Sequence, residues 1–409
     1  MKADIIVIGG GASGLAAAIC AARQGATVLI LERMVRIGKK LLATGNGKCN
    51  YTNRFMDVHC YHSRKLSVVE NILKVFDEKA TESFFEELGI LPKAKEGYVY
   101  PNSMQAASVL DALRFELERL QVGVVTETEV RAILPKGKGF WIQGEKETYH
   151  CRRVILACGG KASPKLGSNG SGYMLAKALG HRIIPVVPAL TGLKAEEKVY
   201  KMLSGIRAEA SVSLIIDGQI VDKHYGEIQL ADYGISGIPV FQLSSQAAYG
   251  LLEKRRVQCL IDYFPEMTEE DLMKFLEKRK QQFQGRPAEA FETGLLNRKL
   301  IHESMKLAGG RNNSLPNMKT LAEILKHFPA TITGSRGYDF AQVCAGGVDL
   351  KEIHPENCES LLRPGLYIVG ELLDADGICG GYNLQWAWST GCLAGTAAGK
   401  ECHDSYRTN

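Results

Sequence analysis

The stretch "DIIVIGGGASGLAAAICAARQGATVLILER", residues 4–33, constrains the fold of this chain more than any other. Asp4 to Ile8 is a short, nearly unbroken apolar run, the pattern of a parallel strand buried on both faces. Gly9, Gly11 and Gly14 follow with G-x-G-x-x-G spacing. An alanine-rich helical stretch then runs from Leu15 to Gln24, Gly25 stops it, and "TVLILE" is a second buried strand closing on Glu32. In such a unit Gly9 permits the tight turn, Gly11 lets the backbone approach a pyrophosphate, and Gly14 lets helix and strand pack closely. Phosphates sit where the helix begins, around Ala12 and Ser13, because free N–H groups and the helix dipole favour anions there. Glu32, with Arg33 beside it, can accept hydrogen bonds from ribose hydroxyls, and an acid at that place repels a 2′-phosphate. The tightly held nucleotide is therefore not NADP, but this unit alone does not decide between FAD and NAD.

The rest of the composition narrows the class. A chain of 409 residues, 45% hydrophobic and 23% charged, has room for two or three domains with real cores. Its net charge of +5 is slight, and the short basic clusters are broken by acids, so we expect solvated faces and no nucleic-acid partner. No apolar run is long enough to span a membrane, and no leader is expected before the first strand. Eleven scattered cysteines without a C-x-x-C pair are expected to be reduced thiols in a cytoplasm. His59, Cys60 and His62 have ligand-like spacing but no second pair nearby, so no metal site is expected.

Residues 365–399 resolve the choice of dinucleotide. "LYIVGE" is another short buried strand, followed by a glycine-rich loop and a helix rich in small residues. That helix begins near "GGYNLQ", so Gly380, Gly381, Tyr382 and Asn383 offer a second set of free N–H donors. An enzyme using only NAD needs no second helix start returning to the same sheet. A flavoenzyme does, because negative charge develops at N1 and O2 of the isoalloxazine on reduction. Glu371, after Gly370, is placed to hydrogen-bond the ribityl hydroxyls.

Several long blocks carry a family resemblance: "VIGGGASGLAAA", "GKKLLATGNGKCNYTN", "VILACGGKASPKLGSNGSGYMLAKALGH", "GISGIPVFQLS", "AQVCAGGVDLKEI" and "GLYIVGELLDADGICGGYNLQWAW". Over essentially its whole length the chain resembles the bile-acid-reductase-like (BaiN-type) family of FAD-dependent oxidoreductases, which includes an aminoacetone oxidase. More distantly it is similar to the flavoprotein subunits of fumarate reductase and succinate dehydrogenase. The resemblance implies an α/β fold: a Rossmann-like FAD-binding domain of glutathione-reductase type with an inserted β-barrel and helical domain. It also implies that Thr44, Gly45, Asn46, Gly47 and Asn50 wrap the flavin side of the nucleotide, with positive charge from Lys39, Lys40 and Lys48. By the same resemblance the backbone of Val130 contacts adenine, and Ala157, Gly159 and Gly160 lie near the cofactor.

Between the two ends, Val122 to Gly160 reads as a small antiparallel meander. The FAD domain is expected at 1–190 and 337–409, with a β-rich insert at 191–265 and a helical part at 266–336. Asp217-Gly218 marks a hairpin turn. "TEEDLMKFLEKRKQQF", capped by Thr268 with Asp271 three residues on, reads as a helix, and "PAEAFETGLLNRKLIHESMKLAGG" and "MKTLAEILKHF" read as two more. By its position the insert is the natural roof of a substrate pocket.

The cofactor carries the two-electron chemistry, and no Ser-His-Asp set or paired-carboxylate arrangement competes with it. Candidates for the proton donor are Tyr382, Cys49, Tyr233 and Arg336. Asp374 and Asp376 read first as turn residues. Cys344 and Cys379 stand where the family commonly has threonine. The resulting expectation is reduction of an activated C=C bond in a small apolar substrate, such as a 3-oxo-Δ4 steroid or bile acid, with NADH or NADPH as transient donor. A flavin-dependent amine oxidase and a non-catalytic flavin-binding protein are the alternatives.

Overall fold

The computed structural model describes residues 2–310 and 314–407, without the side chains of 288 and 403–407. The chain divides into two compact units. One takes the residues up to Val187 and those from Val343 onward; the other is Pro188–Gln342, slightly wider than the 191–336 insert expected from sequence.

The first unit is built on a five-stranded sheet in the order Leu366–Ile368, Arg153–Leu156, Ile5–Ile8, Val28–Leu31, Gly123–Val125. All its pairings are parallel, so connections must cross over the faces and the strands are buried from both sides. Ile5, Ile6, Val7, Ile30, Val154 and Ile155 are fully buried. The meander is narrower than expected. Only Val130–Lys136, Gly139–Gly144 and Thr148–Cys151 form the antiparallel three-stranded sheet, while both flanking strands join the parallel sheet.

The first helix, Ala12–Arg23, and the C-terminal helix, Tyr382–Arg407, pack against each other with their backbones almost touching. A Cβ at Gly391, Gly395 or Gly399 would lie 2.4, 2.2 and 2.8 Å from the carbonyl oxygens of Ser13, Ala17 and Ala21. Four-residue spacing puts these glycines on one helix face. The small residues of the C-terminal helix therefore serve this close packing.

In the second unit, six antiparallel strands close a barrel in the order Leu193–Ala195, Gly234–Gly237, Gln219–Ala231, Arg207–Ile216, Val257–Asp262, Phe328–Ser335. Asp217 and Gly218 both have positive φ, as the tight hairpin between the two longest strands requires. The closing strand Phe328–Ser335 falls inside the 266–336 stretch expected to be helical, because the barrel needs a sixth strand to close. Thr268 caps Glu269–Gln282 by accepting from Asp271 N at 3.1 Å. The single helix expected from Pro287 is instead two, Ala288–Glu292 and Arg298–Leu307, broken where Gly294 takes φ 82°. Among the described residues no helix is long and apolar enough to cross a membrane.

Candidate functional site

Gly9, Glu32, Ala157 and Gly370 each follow the end of one of four adjacent parallel strands, so the fold gathers them along one edge of the sheet. Ligands of open parallel sheets bind at that edge. The glycines there have two different reasons to be glycine. A Cβ at Gly14 would lie 2.0 Å from the carbonyl oxygen of Gly9, and one at Gly9, which has φ 108°, would lie 2.4 Å from that of Ala157. Those two are required by the chain's own packing. Gly11 has φ −87°, and a Cβ there would meet nothing within 4 Å. The room at Gly11 is therefore room for something other than protein.

Glu32 is held rigidly: Gly10 N donates to Oε2 and Met34 N to Oε1, both at 2.7 Å. Each oxygen keeps a further lone pair for a hydroxyl. The same strand end opens into a pocket lined by Gly9, Glu32, Arg33, Val130, Gly167 and Ser171, among others. Arg33 approaches Glu129 at 3.5 Å, yet its Nε is buried with no partner among the described residues. A buried donor without an acceptor costs about 1–3 kcal/mol and is a place where a ligand atom belongs. Ala12 and Ser13 form the first turn of the helix facing this pocket's Gly9.

The segment 38–53 forms the next wall. Gly45, Asn46, Gly47 and Cys49 all have positive φ, between 53° and 82°, so the chain turns on itself repeatedly. Thr44 donates Oγ1–H to the carbonyl of Leu41 at 2.6 Å and Asn50 Oδ1 accepts from Val99 N at 3.2 Å. Like Gly11, Gly47 has open space where a side chain would stand. Lys39 donates to the carbonyl of Lys165 at 2.8 Å, whereas Lys40 is paired with Glu371 Oε2 at 2.8 Å. Glu371 Oε1 accepts from Cys344 N at 3.0 Å. Gly160 is glycine to admit that carboxylate, since a Cβ would lie 2.6 Å from Glu371 Oε1; Gly159 beside it has φ 68°.

At the start of the C-terminal helix the glycines answer to packing. Cβ atoms at Gly380 and Gly381 would lie 2.8 Å from the Tyr98 ring and 2.6 Å from the Thr52 carbonyl oxygen. One at Gly370 would lie 2.5 Å from Ser13 Oγ. Asn383 spends its amide on Gly377, accepting from its N at 2.9 Å and donating to its O at 2.6 Å. What stays open to a ligand is the set of first-turn N–H groups, which no helix can satisfy from within.

The four proton-donor candidates fall into two groups. Tyr382, 6% exposed, donates its hydroxyl to the carbonyl of Phe55 at 3.0 Å. Cys49 is fully buried, and burial pushes its thiol up to about 12. Tyr233 and Arg336 belong to the barrel unit, where the guanidinium stands 4.7 Å over the Tyr233 ring and 3.4 Å over that of Phe340. Burial also pushes the thiols of Cys344 and Cys379 up to about 12, so both are thiols and not thiolates at neutral pH.

Asp374 and Asp376, read from the sequence as turn residues, form a buried acid pair, each 4% exposed. Asp374 accepts from Arg64 N at 3.1 Å, and Asp376 faces His62 Nδ1 at 3.3 Å. Burial raises both carboxyls, that of Asp374 to about 6. His62 therefore engages an acid of the C-terminal loop. Among the described residues no group of three or more His, Cys, Asp or Glu side chains is arranged to hold a metal ion.

Taken together, the open space at Gly11 and Gly47, the orphaned Arg33 Nε, the anchored Glu32 and the two helix starts fit FAD. A protein from Clostridium scindens named 3-dehydro-bile acid delta(4,6)-reductase is 46% identical over 400 residues, covering 96% of this chain and 98% of that one. A ribosomal RNA dihydrouridine synthase from Haemophilus influenzae is 29% identical over 403 residues, 94% of this chain and 96% of that one. Among solved structures, the open conformation of a flavocytochrome c3 fumarate reductase shares the fold with a TM-score of 0.51 at 15% identity, covering 98% of this chain and 78% of that one. The model of the HI0933-like protein Rossmann domain matches residues 3–397. The chain belongs to the HI0933-like Rossmann family.

Proposed function

We propose that this protein is an FAD-dependent reductase of a C=C bond conjugated to a carbonyl, acting on a small apolar substrate such as a 3-oxo-Δ4 or Δ4,6 steroid or bile acid. The observation that carries the reading is the 46% identity, over nearly both full lengths, to a protein named for that reduction. The more distant relatives are named for making dihydrouridine, whose formation also saturates a C=C bond conjugated to a ring carbonyl. The shared element is the bond, and the substrates differ. We favour a small molecule over RNA because the nearer relative acts on one and the chain's net charge of +5 is slight.

When bound, FAD supplies hydride transfer. The chain's residues supply position and charge: Glu32 and Arg33 at the nucleotide end, and the 38–53 wall with the Lys40–Glu371 pair further along. NADH or NADPH is the expected transient donor. Among the described residues no disulfide joins any of the cysteines, which suits a reducing cytoplasm.

The test is anaerobic incubation of holoenzyme with NADH or NADPH and a 3-oxo-Δ4,6 steroid acid, followed by mass spectrometry. The reading predicts a product that has gained two hydrogens. Amines oxidised with hydrogen peroxide formed in air, and enones left untouched, would replace it with an oxidase.

A further inference from the structure

The strand Tyr98–Pro101 belongs to none of the sequence motifs that mark the nucleotide site. Its alternation buries Val99 and leaves Tyr98 and Tyr100 half-buried on the opposite face. The strand is firmly tied: Tyr51 N donates to Val99 O at 2.9 Å, and Val99 N to Asn50 Oδ1 at 3.2 Å. Both rings face glycines of the loops assigned to the flavin. Cε1 of Tyr98 lies 2.8 Å from the place of a Cβ at Gly380, and Cε1 of Tyr100 lies 3.9 Å from that of Gly45.

The hydroxyls of these two tyrosines differ from those of Tyr61 and Tyr382. Tyr61 donates to the carbonyl of Tyr382, and Tyr382 to that of Phe55. Neither Tyr98 nor Tyr100 has a hydrogen-bond partner for its hydroxyl among the described residues. Burial, with Tyr98 alongside, holds the Tyr100 phenol above its ordinary value, so it keeps its proton. Side chains two apart on a strand leave it on the same face roughly 7 Å apart. Two hydrogen bonds span at most about 5.6 Å, so the two rings have to lean toward each other for both hydroxyls to reach one oxygen.

We propose that Tyr98 and Tyr100 bind the substrate's carbonyl oxygen, as a pair of O–H donors for a conjugated ketone. This rests on the reading of the protein as a C=C reductase. Hydride adds to the β-carbon, forming one C–H bond; the π pair of C=C moves to join the α-carbon to the carbonyl carbon, and the C=O pair moves onto oxygen. The enolate oxygen then carries the charge, and donors aimed at it are worth more there than on the ketone. A solvent proton adds to the α-carbon and restores C=O. The two electrons come from reduced flavin, which is oxidised in balance.

The test uses holoenzyme carrying Tyr98→Phe, Tyr100→Phe or both. With the flavin oxidised, so that nothing turns over, isotope-edited infrared spectra read the carbonyl stretch of a bound 3-oxo-Δ4 steroid. We expect a low-frequency stretch in the parent that moves up in each variant and furthest in the double. With flavin reduced by dithionite under anaerobic conditions, reoxidation by the same steroid should slow by roughly 100-fold per hydroxyl. FAD content and reoxidation by oxygen should stay unchanged. Variants that keep the parent's stretch and rate, or that lose FAD, overturn the assignment while leaving the reductase reading intact. A parent that neither binds nor reduces the steroid overturns both.

Discussion

Lys40 and Glu371 are 331 residues apart in the chain, yet Lys40 Nζ donates to Glu371 Oε2 at 2.8 Å. Their side chains are 26% and 18% exposed, so the pair is largely shielded from screening but not fully dry. It joins the 38–53 wall to the strand end that carries Gly370. The lysine, free in the sequence reading to neutralise phosphate or reduced flavin, is already neutralised by the carboxylate. Its contribution to the cofactor is then positional.

Breaking that pair should weaken FAD binding from either side. Glu371→Gln and Lys40→Met are each expected to raise the Kd for FAD roughly tenfold or more, because each leaves a half-buried charge without its partner. The double variant should lose less than the product of the two. Fluorescence titration of FAD into the three apo-proteins measures this directly.

Gly11 and Gly14 should separate binding from folding. Gly14→Ala drives a methyl to 2.0 Å from a carbonyl oxygen, and should cost the fold about 2–4 kcal/mol in a denaturant melt. Gly11→Ala has both room and an ordinary φ, so the melt of the apo-protein should be unchanged. Its FAD binding should nevertheless be lost, since the methyl occupies the phosphate's approach.

The helix pair makes its own prediction. Gly395→Ala would place a methyl 2.2 Å from the carbonyl oxygen of Ala17, and the two helices would have to separate. A loss of about 2–4 kcal/mol is expected, read from denaturant melts.

Asp374 predicts a pH dependence. Burial raises its carboxyl to about 6 from the ordinary 3.8, so the folded state holds the proton more tightly than the unfolded state does. The stability it contributes is fully present below pH 3.8 and is lost as pH rises through about 6. The span is worth about 3 kcal/mol at 1.36 kcal/mol per unit. Asp374→Asn should flatten that part of the stability profile, measured by denaturant melts between those pH values.

What could be read from the sequence was local. The turn, helix and acid of residues 4–33 lie within one βαβ unit, and the Thr268 cap and the Asp217-Gly218 hairpin each need only a few neighbours. What could not be read depended on distant partners. Nothing near Lys40 announces Glu371, and nothing in "YVYP" shows that two rings will lie against Gly45 and Gly380. Gly370, Gly380 and Gly381 were legible as a strand end and a helix start with free N–H groups; that a side chain at each would meet Ser13, Tyr98 and Thr52 was not. The helix break at Gly294 was hidden because helical apolar spacing continues on both sides of it. Phe328–Ser335 became a strand because the barrel had to close.

The most direct measurement is a choice of electron acceptor. Holoenzyme reduced with dithionite is mixed anaerobically with a 3-oxo-Δ4,6 steroid acid or, in parallel, with a ribosomal RNA fragment, and the return of the oxidised flavin bands is followed. The account predicts reoxidation by the steroid, matched one to one by saturated product, and none by the RNA. Bands that return only with the RNA, or only when oxygen is admitted, would contradict it.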